Sequence, residues 1–339
     1  MSNGTYPTDS FELIQRKSDH INLTDRSRTL PSSVDLRFNY EPLFFKHPTS
    51  ESNWKTNFIG FDFNYPVWVS SMTGGTQKAQ TINTNLAKLV GEFKLGMGLG
   101  SCRSLLESKD RLDDFKVRKY LGIQPLFANI GCAQLAELVL NNNLHKISEL
   151  VNLLEADGLV IHLNPLQEWF QPGGDRYLMT PIQVLETVFE KVKFPIIIKE
   201  VGQGMGPETL KALLNMPLAA IEFGAYGGTN FSQLESLRST EGIELKKPFI
   251  NVGHTASEMI DILNSLPRTD KQFIISGGVQ SVLDGYELKM KLEATSVIGM
   301  ASAFLNPAQQ SYTALQEYFI QLKESLIVAR DLLTIKKNL

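Results

Sequence analysis

His162, Asn164, Gln167 and Glu168 fall within one short stretch, HLNPLQE, at the end of an apolar run, and Asp175 and Arg176 follow closely. So many hydrogen-bonding side chains where a strand should end point to a contribution to a shared polar pocket. Elsewhere the chain repeats this arrangement of an apolar run capped by small or polar residues. SGG (276–278) and GMAS (299–302) end two late runs, and their glycines and small residues suit backbone N–H groups aimed at a phosphate. Gly277 and Gly278 would make a tight turn even without an anion. Lys199 ends another run in IIIKEVG, where a lysine suits either a bound anion or a neighbouring carboxylate.

The elements that must position these residues follow a rhythm. Eight apolar runs occur at 67–75, 94–101, 125–131, 158–164, 195–202, 219–228, 271–278 and 294–302. They do not alternate, so they read as strands covered on both faces, as in a parallel sheet. Helical spacing of apolar residues lies between them at 77–93, 132–140, 181–192 and 206–216, and again in the tail at 311–334. Most of the spacings suit a strand–helix unit, with a longer gap before the seventh run. Eight such units predict an α/β fold of the (β/α)8 TIM-barrel type, in preference to a doubly wound open sheet. Residues 67–339 form this barrel with closing C-terminal helices, and 1–66 form an N-terminal extension, in which NFIGFDFNYPVWV reads as a small hairpin feeding the first strand.

In a barrel the strand ends share one mouth, so the scattered polar motifs become a single constellation. Two loops for a phosphate, Lys199 facing an anion, Met72, Thr73 and Gly74 allowing close backbone approach, and Asn129 and Thr229 at polar edges suit flavin mononucleotide (FMN). No GxGxxG follows the first run, so a dinucleotide fold is not indicated. Net charge is -3, which gives no global field for nucleic acid. Cys102 and Cys132 form no CxxC pair, and neither a signal peptide nor a membrane span is evident, so a reduced cytoplasmic setting is expected.

RKSDHI (16–21), SMTGGT (71–76), LGSCR (99–103), ANIG (128–131), HLNPLQE (162–168), KEVGQGM (199–205), GGTNF (227–231) and SGGV (276–279) run in an order that resembles the type 2 isopentenyl diphosphate isomerases, flavin-dependent (β/α)8 enzymes. The resemblance implies conversion of isopentenyl diphosphate to dimethylallyl diphosphate, with reduced FMN as the acid–base cofactor and NAD(P)H only as its reductant. It implies that Arg16, Lys17 and Arg103 hold the diphosphate, with His20, Ser101, His162, Asn164 and Gln167 around the substrate. His162 and Gln167 would be the catalytic side chains, and Glu168 would hold Mg2+. FMN would take Ser71, Met72, Thr73, Gly74, Ser101, Asn129, Lys199, Thr229, Gly277, Gly278, Ala301 and Ser302. A homo-oligomer, tetramer or larger, is also implied. Trp169 and Phe170 would either shield the isoprene chain or pack beneath a loop.

Cys102 stands where the family often has glutamine, Gln280 where it often has arginine, and 246–260 departs from the family pattern, with a helix expected to begin near Thr255. Two rivals share the fold. A flavin 2-hydroxy-acid oxidase would need a histidine and an arginine in a pattern like HGGR, but AYGGTN (225–230) has neither. A non-catalytic phosphate-binding barrel would not need so many polar strand ends.

Overall fold

The computed structural model describes residues 11–49, 51–71, 78–238 and 244–336. Its N-terminal part contains helix α1 (Phe11–Leu23), with Glu12 in its first turn and His20 in its last, each favourable to the helix dipole. Two 3-10 turns and a short strand, β1 (Phe38–Tyr40), follow. The compact unit from Tyr40 to Ile335 holds the rest of the architecture.

The eight apolar runs become the strands β4 (Val67–Val69), β5 (Gly96–Gly98), β6 (Leu126–Gly131), β7 (Gly158–Leu163), β8 (Ile196–Glu200), β9 (Ala220–Glu222), β10 (Gln272–Ile275) and β11 (Ser296–Met300). They are preceded by the antiparallel hairpin β2 (Thr56–Phe58) and β3 (Phe61–Phe63). The eight are parallel and close into a barrel, β11 pairing with β4. The expected fold and hairpin are both present.

Two apolar layers explain why the runs look unbroken. Val67, Val69, Leu126, Ala128, Leu159, Ile161, Ile196 and Ile198 face outward into a core shared with the helices. The alternate residues Trp68, Phe127, Val160, Ile197, Ala220, Ile274 and Val297 face inward. Hairpin residues Phe58 and Phe63 join this inner cluster, and the Phe63 and Trp68 rings stack 6.4 Å apart. Gly96 makes room for that stack, because a Cβ there would lie 2.4 Å from the Trp68 ring. The hairpin therefore plugs the barrel floor, and the inward residues above it are free to be polar.

The helices outside are α2 (Ala79–Phe93), α3 (Cys132–Leu140), α4 (His145–Leu153), α5 (Pro165–Phe170), α6 (Pro181–Lys191), α7 (Pro207–Leu214), α8 (Phe231–Arg238), α9 (Ala256–Ser265), α10 (Val282–Lys291), α11 (Ser302–Gln310) and α12 (Tyr312–Leu332). α9 begins where the sequence predicts, with Thr255 and Glu258 forming a capping box. Ser281 and Asp284 do the same for α10. α4 departs from the expectation of a single helix between β6 and β7. α3 ends in the Asn141–Asn143 turn, where Asn142 takes φ +53, and the chain then restarts a helix. No helix among the described residues is long and apolar enough to cross a membrane.

Candidate active site

Strand alternation builds the site. Two residues above the inner apolar layer, the inward positions are Ser70, Gly98, Asn129, His162, Lys199, Glu222, Ser276 and Gly299. Most of these groups bond to one another. Asn129 donates to the Leu99 carbonyl (2.9 Å), which fixes its amide orientation and turns Oδ1 toward His162 Nδ1 (2.8 Å). His162 Nδ1 must therefore carry the proton, leaving an Nε2 lone pair. Burial, followed by the Lys199 charge, pushes His162 down to about 4, so the imidazole is neutral near pH 7.

Lys199 Nζ pairs with Glu222 Oε1 at 3.0 Å and also donates to the Glu200 carbonyl at 2.9 Å. Ser276 Oγ donates to the same Glu222 oxygen (3.2 Å) and accepts from Gly224 N–H (3.0 Å). Glu222 is fully buried, and among the described residues its Oε2 has no partner, nor do the buried hydroxyls of Ser70 and Ser71. Of the two readings of Lys199, the carboxylate partner is thus present. Glu222, Ser70 and Ser276 were not singled out in the sequence. Counting by twos from Trp68, Ala220 and Ile274 finds them.

A second cluster lies at the rim of the mouth. Asn164 Nδ2 donates to Glu168 Oε1 (2.9 Å) and Gln167 Oε1 (3.2 Å), while its Oδ1 accepts from Tyr177 (2.9 Å). Glu168 Oε2 accepts the Asp175 N–H at 2.8 Å. The Asp175 side chain pairs with Arg103 (2.5 Å) and takes a bond from Gln134. Arg103, Asn164, Gln167 and Glu168 are therefore joined in one network through Asp175, to which Gln134 and Tyr177 add bonds on Asp175 and Asn164. Glu168 retains a lone pair on each oxygen beyond these bonds, so it fits a cation bound through one carboxylate and substrate oxygens.

The glycine turns form the third part. Gly277 and Gly278 take φ of +85 and +73, and a Cβ on Gly277 would lie 2.1 Å from the Ala225 carbonyl oxygen. The loops after β9 and β10 thus press backbone against backbone. Beside them is a cavity of about 450 Å3 lined by Gly227, Gly228, Thr229, Gly278, Gln280 and Ser302, among others. Ser302 begins α11, so a helix N-terminus and glycine N–H groups share the cavity. This cradle fits a phosphate. Gly277 and Ala301 lie in the adjoining turns and are not among its lining residues. Gln280 lines the same wall.

The remaining predicted residues vary. Ser71 Oγ lies 2.9 Å from where a Gly98 Cβ would stand, beside the inner layer, whereas Ser101 is exposed. Arg16, Lys17 and His20 are exposed on α1. Met72, Thr73 and Gly74 lie outside the described residues. Phe170 is buried in packing, and Trp169 stacks edge-on with Phe249 and under Lys246. Cys102 is fully buried, and burial pushes its thiol up to about 12, so it packs without reacting.

An isopentenyl-diphosphate delta-isomerase of Rickettsia africae is 32% identical over 321 residues, covering 92% of this chain and 91% of that protein. Its counterpart in Rickettsia rickettsii is 33% identical over 323 residues, with the same coverage. The chain belongs to the isopentenyl-diphosphate delta-isomerase family. Another member, from Rickettsia prowazekii, is 32% identical over 303 residues, 87% of this chain and 86% of that one. No protein-family model matches. Among solved structures, a mandelate oxidase with an FMN adduct superposes with a TM-score of 0.54 at 10% identity, covering 89% of this chain and 88% of that one. At that identity the likeness is one of fold, and it agrees with the closed barrel.

Proposed function

We propose that this isomerase-family chain converts isopentenyl diphosphate to dimethylallyl diphosphate. The observation that carries the reading is the joining of Arg103, Asn164, Gln167 and Glu168 in one network, which begins two residues along the chain from the half-buried His162. A diphosphate needs close cations, and the Arg103 guanidinium matches its oxygens. As the family resemblance implies, Arg16 and Lys17 would supply further cations for the diphosphate, and His20 and Ser101 would contact the substrate. Glu168 holds Mg2+ against the diphosphate. His162, neutral and with a free Nε2, accepts a hydrogen bond where an imidazolium would repel the cation. Gln167 contacts the isoprene end and helps relay a proton.

FMN fits the glycine cradle, its phosphate taken by Gly278, Thr229 and Ser302, with Gly277 and Ala301 shaping the turns. Asn129, Ser71 and Lys199 serve the ring, together with Met72, Thr73 and Gly74. Reduced FMN supplies the acid–base group that an isolated alkene requires. NAD(P)H serves as reductant, and the enzyme works in the cytoplasm as a homo-oligomer.

Product analysis tests this. Isopentenyl diphosphate, FMN, Mg2+ and an anaerobic reductant should yield dimethylallyl diphosphate, with NAD(P)H needed to start turnover but not consumed in proportion to product. Full-rate isomerisation with oxidised flavin under air, or one reductant oxidised per product, overturns the assignment.

A further inference from the structure

β8 alternates: Lys199 points into the barrel, and Glu200 points to the helix side. There Glu200 meets a cavity of about 550 Å3, lined by Leu166, Leu185, Met205, Ala212 and Met216. Its walls come from the start of α5, from α6, from the 203–206 loop, from α7 and from Val252–His254, so that His254 and Glu208 are titratable groups of the same lining as Glu200. This cavity shares no lining residue with the glycine cradle.

Glu200 is only 6% exposed. Its Oε2 accepts the N–H groups of Gly202 (2.6 Å), Gln203 (2.6 Å) and Gly204 (3.1 Å). These bonds shape the loop after β8, and one neutral acceptor oxygen would suffice for them. Oε1 takes no hydrogen bond from any described residue. Lys199 does not neutralise the carboxylate directly, because its ammonium is held by Glu222 and by the Glu200 main-chain carbonyl. The Gln203 amide is bonded to the Val252 carbonyl. Glu208, on the outer wall, adds a second negative charge. Oε1 is open to the cavity, and a carboxylate oxygen held against largely apolar walls is best met by a cationic donor that enters from the cavity side.

We propose that this cavity is a second ligand site, for a small organic ammonium with an apolar body, its nitrogen on Glu200 Oε1. The volume lies within the range of drug-sized pockets, so an arylalkyl amine fits. Burial raises Glu200 to about 7, so a solution near pH 8 keeps the carboxylate ionised.

The test is calorimetric titration of the full chain with 2-phenylethylamine, and with 2-phenylethanol as its neutral twin. The amine should bind roughly tenfold tighter or better, as expected for a hydrogen bond gaining charge on both sides. Glu200→Gln keeps an oxygen for the three loop N–H groups and removes the charge, so the two ligands should become nearly equal. Ala212→Phe fills the cavity from a half-buried position on α7 and should abolish binding of both. Inorganic pyrophosphate should not compete. Should Glu200→Gln fail to fold, the amine–alcohol contrast and Ala212→Phe still decide. No saturable amine binding, equal wild-type affinities, an Ala212→Phe variant that binds normally, or competition by pyrophosphate overturns the proposal. Each of these readouts is independent of isomerase activity.

Discussion

The inner polar layer and the rim cluster use the same kinds of groups in opposite ways. In the inner layer, Lys199 and Glu222 meet with side chains 12% and 0% exposed, and the partners of both are fixed by adjacent strands. At the rim, Arg103 and Asp175 meet with side chains 46% and 29% exposed, on loops that water reaches. A buried pair cannot lose one member without leaving an uncompensated charge, whereas an exposed pair exchanges partners at little cost. The inner layer is therefore a rigid base, and the rim is where an anion can displace a protein carboxylate.

The largest effect should come from breaking the inner pair. Lys199→Met leaves the Glu222 carboxylate buried beside Ser276 alone and should cost about 3–5 kcal/mol of stability. Adding Glu222→Leu should recover most of that loss, because no charge then remains to be solvated. Denaturant titration of the two variants measures this. A single-variant cost below about 1 kcal/mol would place the pair with ordinary surface ion pairs and erase the contrast.

Much of this arrangement was legible in the sequence. Eight runs at regular spacing give the closed barrel, and small residues at their ends give the mouth. The hairpin and the start of α9 were also readable, since turn and capping residues mark them locally. Glu222 was harder to see. Its run is apolar on the outward side because helices cover it, and apolar below because the floor is packed, so one acid in AAIEFG looks incidental. Asp175, Gln134 and Tyr177 were not legible as partners of the rim. They arrive through the fold-back of 171–177 and the start of α3, which no local pattern encodes.

Next in size is the glycine cradle. Gly278→Val forces a β-branched residue to φ +73, with its Cβ about 3.0 Å from the Tyr226 carbonyl oxygen. Strain of about 1–3 kcal/mol is expected, which the fold should survive. The side chain would project where the phosphate is proposed to sit. The variant should purify folded and colourless, as checked by circular dichroism and flavin absorbance. Full flavin occupancy would remove the phosphate from this cradle.

The inner layer also predicts a pH response that the rim should lack. His162 is about 4 in the folded chain against 6.5 ordinarily, so the unfolded chain binds the extra proton first as pH falls. Its contribution to stability is complete above about 6.5 and is lost progressively down to about 4. Subtracting the stability curve of His162→Gln from that of the wild type should leave a difference that is flat above this window and falls within it. A flat difference throughout would mean that the imidazole is not desolvated as the structure describes.

The smallest effect on stability, and the sharpest test of the contrast, belongs to Asp175→Asn. The exposed Arg103–Asp175 pair should contribute no more than about 1 kcal/mol. The Asp175 main-chain N–H, which supports Glu168, is unchanged by the substitution. A carboxamide can still accept from Gln134, so the loop should keep its place. What disappears is the charge that competes with an incoming anion for Arg103. If the rim works by exchange, Asp175→Asn should lower KM for isopentenyl diphosphate with kcat unchanged, and the gain should shrink as salt screens the released guanidinium. Arg103→Ala should raise KM whether or not Asp175 is present. A higher KM in Asp175→Asn would mean that the ion pair orients Arg103 for binding, so that the rim, like the inner layer, depends on keeping its partners.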